Sequence, residues 1–192
     1  MEIFNHNPKI YLIGGKAHHG KTTVGRIIIE EYEKKGQKAA RLYLMKYVKD
    51  YIKEYFGWDG REETKPRELL QVLGTDIIRK KLGKEYFYVN RIIEDIEILS
   101  YFFDVIVIDD VRYKLEIEEI KKKFSNVTAI KIIRENNVDN LTEKQKQHPS
   151  EVDLDDYNKF DYVIMNDITI NNLVEKTRTM IKKENENENN DK

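Results

Sequence analysis

The chain has 192 residues, is 40% hydrophobic, and carries a net charge of −1 with no cysteine. That length and composition suit one domain with a sizeable core. The near-zero charge argues against a general electrostatic grip on nucleic acid or an anionic membrane, and the missing thiols exclude disulfides and thiolate zinc sites. No apolar stretch approaches a membrane span, and Met1-Glu-Ile-Phe-Asn-His lacks the features of a signal peptide, so a cytoplasmic location is expected.

Lys9 to Gly14 is a short apolar run of the kind found in buried parallel strands. It leads into Gly15-Lys16-Ala17-His18-His19-Gly20-Lys21-Thr22, which fits the phosphate-loop pattern G-x-x-x-x-G-K-[ST]. The chemistry explains the spelling. The glycines let successive N–H groups turn inward as an anion nest, Lys21 brings a compact positive charge to the β/γ-phosphates, and the Thr22 hydroxyl is a ligand for Mg2+. A helix follows, with Val24, Ile27, Ile28 and Tyr32 at helical spacing and Gly36 at its end, and its positive end faces the same phosphates. The nucleotide-contacting set on this reading is Gly15 to Thr22 with Thr23. His18 and His19 are expected to contribute little chemistry, because side chains in such loops mostly point away from the phosphates.

Further along, Ala39–Leu44 reads as a second strand, and residues 46–56 as a helix with Tyr47, Val48, Tyr51, Ile52 and Tyr55 on one stripe. After a polar loop, Pro66 stands as the first residue of a helix that buries Leu69, Leu70, Leu73, Ile77 and Ile78. Another helix is expected over 89–99. Phe103 to Asp110 is an unbroken β-branched strand ending in two carboxylates, then a helix over 114–124 and a strand from Val127 to Ile133. Residues 135–150 lack periodicity and are expected to be a lid loop. Asp161–Met165 is a last strand, 170–182 a last helix, and 184–192 a disordered polar tail. Five strands alternating with helices predict a doubly wound α/β domain over 1–183, with a five-stranded parallel sheet and ligands at the C-terminal strand ends.

Asp109 and Asp110 end the most hydrophobic strand, where an acid holds the hydration shell of Mg2+ in phosphate-loop proteins. Either of the two fits that role. Arg112 follows, and Arg134 ends the next strand. Both are expected at the same sheet edge, where fixed cations neutralise charge on a moving phosphoryl group.

Three further strings carry a family likeness. Pro66-Arg67-Glu-Leu-Leu-Gln71-Val-Leu-Gly74-Thr75 resembles the R-x-x-L-Q-x-L-G-T segment of the bacteriophage-type deoxynucleoside monophosphate kinases. Asp110-Val111-Arg112-Tyr113, followed by Glu116, resembles their D-V-R-[FY]-x-x-E motif. His148-Pro149-Ser150-Glu151, with Asp161 to Asn166, resembles their H-x-S-E stretch and closing strand. The resemblance covers residues 9–181. It implies the P-loop, adenylate-kinase-like fold and transfer of the γ-phosphoryl of ATP, with Mg2+, to a deoxynucleoside monophosphate. It also implies a helical acceptor-binding section over 46–100. Arg67 would hold the acceptor phosphate, Gln71 and Thr75 its base or sugar, and Lys46, Arg112 and Glu151 would join them, while Asn166 would lie near the adenine. Catalytic roles would fall to Lys21, Asp110, Arg112 and Arg134. Where many members carry a tryptophan, this chain has Glu85-Tyr86-Phe87-Tyr88-Val89, which leaves base preference open. The same motifs weakly resemble phosphomevalonate kinases, so a phosphorylated isoprenoid is the alternative acceptor, and a P-loop regulator without an acceptor is a third reading. A homodimer is one candidate assembly.

Overall fold

The computed structural model describes residues 4–135 and 141–190, with side chains to residue 186. Five parallel strands, β1 (Lys9–Gly14), β2 (Ala39–Leu42), β3 (Val105–Val111), β4 (Val127–Ile133) and β5 (Tyr162–Met165), lie in the order β2-β3-β1-β4-β5. The expected doubly wound parallel sheet is therefore present. Alternation along β1 feeds two cores. Ile10 and Leu12 pack with Ile106 and Ile108 beneath α2 (Lys46–Phe56), α4 (Phe87–Leu99) and α5 (Lys114–Lys123). Tyr11 and Ile13 pack with Val105, Val107, Ile130 and Ile132 beneath α1 (Lys21–Glu33) and α8 (Ile170–Asn190). Both faces are covered, which is why β1 and β3 read as unbroken apolar runs.

α3 (Arg67–Gln71) begins one position later than the sequence suggests, with Pro66 as its cap, and passes directly into a π-helical stretch, Val72–Lys81. Periodicity does not reveal the wider turn. Within it Gly74 is the point of closest approach. A Cβ there would lie 2.9 Å from Cε of Met45, at the head of α2, and 3.5 Å from the Tyr88 hydroxyl of α4, which donates to the Gly74 carbonyl at 3.0 Å. The aperiodic 135–150 segment also holds more structure than expected. Residues 136–140 lie outside the described residues, but α6 (Glu143–Lys146) and α7 (Pro149–Val152) follow, capped by Thr142 and His148. These one-turn helices are too short to show a hydrophobic period.

The expected disordered tail at 184–192 needs correction. α8 continues to Asn190, and Glu184 is buried. Tyr11 Oη donates to Glu184 Oε2 at 2.5 Å and lies 2.6 Å from Tyr32 Oη, and the Thr128 hydroxyl donates to Glu184 Oε1. Burial and the adjacent carboxylate raise the pKa of the Tyr11 hydroxyl, which keeps it a donor. A polar, repetitive composition hides one residue that closes a core hydrogen-bond network; residues 191 and 192 lie outside the described ones. Truncation after Lys183 is expected to cost about 1–3 kcal/mol, because it strands buried hydroxyls. Urea or thermal unfolding checks this, and an unchanged midpoint would return the segment to a structureless tail.

Candidate active site

The C-terminal ends of β1, β3 and β4 meet at the phosphate loop. Gly15 has φ 140° and Gly20 φ 100°, in the region that favours glycine. Space is also exhausted at both: a Cβ would fall 2.5 Å from the Ile132 carbonyl oxygen at Gly15 and 2.6 Å from Asn166 Nδ2 at Gly20. The loop is pinned from behind. Asn166 Nδ2 donates to the His19 carbonyl at 2.9 Å, and His19 Nδ1 lies 3.1 Å from the Ile132 carbonyl oxygen. His19 and Asn166 thus brace the loop against β4 and β5. His18, at φ 62°, places Nε2 3.4 Å from Arg67 Nη2.

Inside the loop the charges are paired internally. Lys21 is buried and donates to the Lys16 carbonyl at 2.7 Å, while Lys16 Nζ is 2.8 Å from Asp155. Burial, and then the nearby Arg112, hold the Lys21 ammonium well below the ordinary lysine range. The Glu151 carboxylate, carried by α7, accepts the Ala17 N–H at 3.0 Å and pairs with Arg112 Nη1 at 2.9 Å. Arg112 also donates to the Gly15 carbonyl at 3.2 Å. A carboxylate therefore sits at an N–H of the nest, where phosphate oxygens bind in loops of this kind.

The two aspartates separate. Along β1 and β3 the register runs Leu12↔Ile108 and then Gly14↔Val111, so β3 carries one extra residue at the acidic pair. Such bulges re-aim side chains. Asp109 is 2% exposed and faces α1, where Arg41 Nη2 pairs with its Oδ2 and donates to Thr22 Oγ1 at 3.1 Å. Asp110 turns the other way and accepts the N–H groups of Leu44 and Met45 at 2.9 and 3.2 Å, immediately before α2. The sequence left open which acid faces Thr22; the structure gives that position to Asp109 and a backbone-anchoring position to Asp110.

Two spaces flank Arg112. A cavity of about 480 Å³ is lined by Gly15, Ala17, His19, Lys131, Arg134 and Lys146. Arg134 is exposed on this rim rather than directed at Lys21 by any bond, and its backbone N–H lies 3.3 Å from His19 Nδ1. On the other side, Arg67, Gln71 and Thr75 share a cavity of about 140 Å³ with Arg112, Asp110 and Glu151. It opens beside a cleft of about 1040 Å³ lined by Thr23, Lys46, Lys49, Lys65 and Arg67 together with Lys21. The structure thus brings Arg67, Gln71, Thr75, Arg112 and Glu151 together as expected. Lys46 stands farther out, on the cleft wall, 3.5 Å from Asp50. Arg67 is held by Glu62 at 2.9 Å.

Sequence reasoning missed two cations. Arg41 lies on β2, opposite Val107, and Arg79 lies in the π-helical stretch. Arg79 pairs with the buried Glu116 at 2.5 Å between the rings of Tyr88 and Tyr113. Glu116 in turn accepts the N–H groups of Arg112 and Tyr113 at 2.8 and 3.0 Å, which fixes the turn that carries Arg112. Burial raises its carboxyl pKa against the pull of Arg79. A charged residue inside the short strand Ala39-Ala-Arg41-Leu was the available signal for the first; for the second, none precedes the resemblance.

His148 caps α7, its Nδ1 accepting the Ser150 N–H at 3.2 Å, and burial lowers its pKa from 6.5. A lowered histidine pKa means that the unfolded chain takes up the proton first, so this cap's contribution is whole above 6.5 and lost as pH falls through the folded value. Thermal stability is expected to fall on acidification below pH 6.5. His148→Asn, which keeps a capping oxygen, is expected to shrink that fall. Identical pH profiles of melting temperature for the two proteins would remove His148 from the account.

The sequence pattern of the deoxynucleotide monophosphate kinases matches residues 52–177, from within α2 to within α8. A comparison with curated protein sequences finds no match. Among solved structures, the Mycobacterium tuberculosis APS kinase CysC in complex with AMPPNP and APS superposes with a TM-score of 0.53 at 8% identity, covering 91% of this chain and 98% of that one. A mutant of the same kinase gives 0.53 at 10%, with the same coverage. Dephospho-CoA kinase from Campylobacter jejuni gives 0.51 at 14%, covering 92% and 97%. At such low identity these likenesses establish the P-loop kinase fold, and the matched pattern, spanning more than half of the chain, establishes more: the protein belongs to the deoxynucleotide monophosphate kinase family.

Proposed function

We propose that this enzyme transfers the γ-phosphoryl group of ATP, bound with Mg2+, to the phosphate of a deoxynucleoside monophosphate, giving ADP and the deoxynucleoside diphosphate. The observation that carries this is the pair of spaces joined at Arg112, one against the phosphate loop and one walled by Arg67, Gln71 and Thr75. A regulator that only binds or hydrolyses nucleotide has no use for the second. The family match supports a nucleotide over the isoprenoid alternative.

In the proposed roles, the Gly15–Thr22 backbone and Lys21 hold the donor phosphates, with Thr23 at the head of α1. Thr22 and Asp109 offer hard oxygen donors that already share one cation, which fits Mg2+. Among the described residues no cluster of three His, Cys, Asp or Glu side chains could hold a metal. A two-donor site completed by water and phosphate oxygens agrees with Mg2+ chemistry. The bound ion would spread the charge of the β- and γ-phosphates and orient them.

Arg67 binds the acceptor phosphate, and Gln71 and Thr75 face its sugar or base. Arg112, positioned between donor and acceptor, stabilises charge on the phosphoryl group in flight, and Arg134 reaches the donor phosphates from the rim. An acceptor oxygen forms the new bond to the γ-phosphorus while the bond to the β–γ bridging oxygen breaks and ADP leaves. No general base is needed, because the acceptor phosphate is largely ionised at neutral pH, its second pKa being about 6. Glu151 must release the Ala17 N–H when the donor phosphates enter, which links α7 to donor binding. In this role it gates the nest rather than touching the acceptor.

ADP release with ATP and a panel of deoxynucleotides, ribonucleotides and phosphomevalonate tests the reading; no acceleration with any acceptor would refute it. Lys21→Ala is expected to lower kcat by roughly 100- to 1000-fold, the usual loss of a fixed transition-state donor. Arg67→Ala is expected to raise the acceptor KM about ten- to a hundredfold with ATP binding unchanged, as for loss of a hydrogen bond to a charged group. An unaltered acceptor KM would move the acceptor site elsewhere.

A further inference from the structure

Arg41 occupies a position that the proposed metal site needs. One nitrogen of its guanidinium, Nη2, binds both Asp109 Oδ2 and Thr22 Oγ1. Those are the two oxygens assigned to Mg2+, so this inference rests on that assignment. The Asp109 side chain is 1% exposed, and a buried carboxylate without a counter-ion is strongly disfavoured. A guanidinium lodged beside it supplies the missing charge without any ligand.

Its seating is incomplete. Arg41 Nε is buried without a hydrogen-bond partner, although its carbon lies 4.8 Å from the centre of the Tyr43 ring. An unpartnered buried donor is a standing cost that leaving the site relieves. An exit is at hand, because Arg41 borders the large cleft that also holds Lys46, Lys49 and Arg67. β2 is an edge strand, so nothing in the sheet lies beyond it to hold the side chain in.

We propose that Arg41 is a resident counter-ion competing with the divalent metal for Thr22 and Asp109, so that the metal enters with the nucleotide and not alone. A divalent ion bound to Thr22 and Asp109 would stand within a few ångströms of the guanidinium, where like charges repel. A bare divalent ion must displace the guanidinium unaided, whereas one carried by ATP arrives with phosphate oxygens that complete its coordination and attract the released guanidinium into the cleft. Arg41 is thus a positioning residue: it neutralises Asp109 before nucleotide binds and makes metal binding conditional on nucleotide.

The test uses the full chain without nucleotide and Mn2+ as the probe, with free Mn2+ followed by electron paramagnetic resonance. Arg41→Met is expected to bind Mn2+ at least about tenfold more tightly than the unaltered protein, a typical coupling between competing occupants. Adding Asp109→Asn to that variant is expected to abolish the gain. Arg41→Gln, which keeps one donor to Asp109 but no charge, serves if the methionine variant folds poorly, and it too is expected to bind Mn2+ more tightly. Equal Mn2+ affinity for unaltered protein and folded variants would overturn the competition. Titration with Mn2+ and ATP together separates the two readings. If Asp109→Asn alone leaves that complex unweakened, the metal assignment falls. If it weakens the complex and the Arg41 variants bind Mn2+ no better, only the role of Arg41 falls.

Discussion

Everything at the active edge depends on the pairing of β1 between β3 and β4. Leu12 lies against Ile108 on one side and Ala129 on the other, and Gly14 lies against Val111 and Lys131. That register brings the phosphate loop, the acidic end of β3 and the end of β4 to one rim. The single extra residue of β3 at this point is what sends Asp109 toward Thr22 and Asp110 toward α2. A regular ladder would leave the register unshifted, and with it the aim of both carboxylates. The dense aliphatic packing on both faces holds that irregularity in place, because a shift of one residue along β1 would exchange its two core faces.

The charged groups at this rim are each matched within the chain, by partners that substitute for water. Glu151 accepts the Ala17 N–H, Arg41 pairs with Asp109, and the Lys16 carbonyl accepts the Lys21 ammonium. Burial makes such substitution necessary, since a lone charge in a low-dielectric site costs more than a fold of marginal stability can carry. On the proposed function, binding of donor nucleotide would be an exchange of ion pairs, and α7 and β2 carry the residues that would be exchanged.

Much of this was legible in the residues. The phosphate loop, the β-branched run ending at Asp109 and Asp110, and the helical stripe of 46–56 carry strong local signals, because glycine geometry and apolar periodicity are properties of short segments. The cavity wall of Arg67, Gln71 and Thr75 was legible only through resemblance, since three polar residues on one helix do not by themselves announce a ligand. Long-range pairings were not legible. Arg41 reaches Asp109 across 68 positions, and Glu151 reaches Ala17 across 134. Locally, Glu151 reads as a solvated surface charge, and Arg41 is marked only by its place inside a short strand. The π-helical turn and the buried Glu184 were hidden for a related reason: both are set by what packs against them.

Gly74 ties these threads to the size of the cavity beside Arg67. Its missing side chain lets the head of α2 and the hydroxyl of Tyr88 close on the π-helical stretch, and Met45, the nearest neighbour, is itself part of that cavity's wall. A methyl group at this position would be relieved by moving the flexible Met45 terminus, not the backbone. The width of this cavity is therefore set in part by a lining residue that has no side chain to offer. A side chain added at this position would reshape the cavity while leaving every group of the phosphate loop as it is.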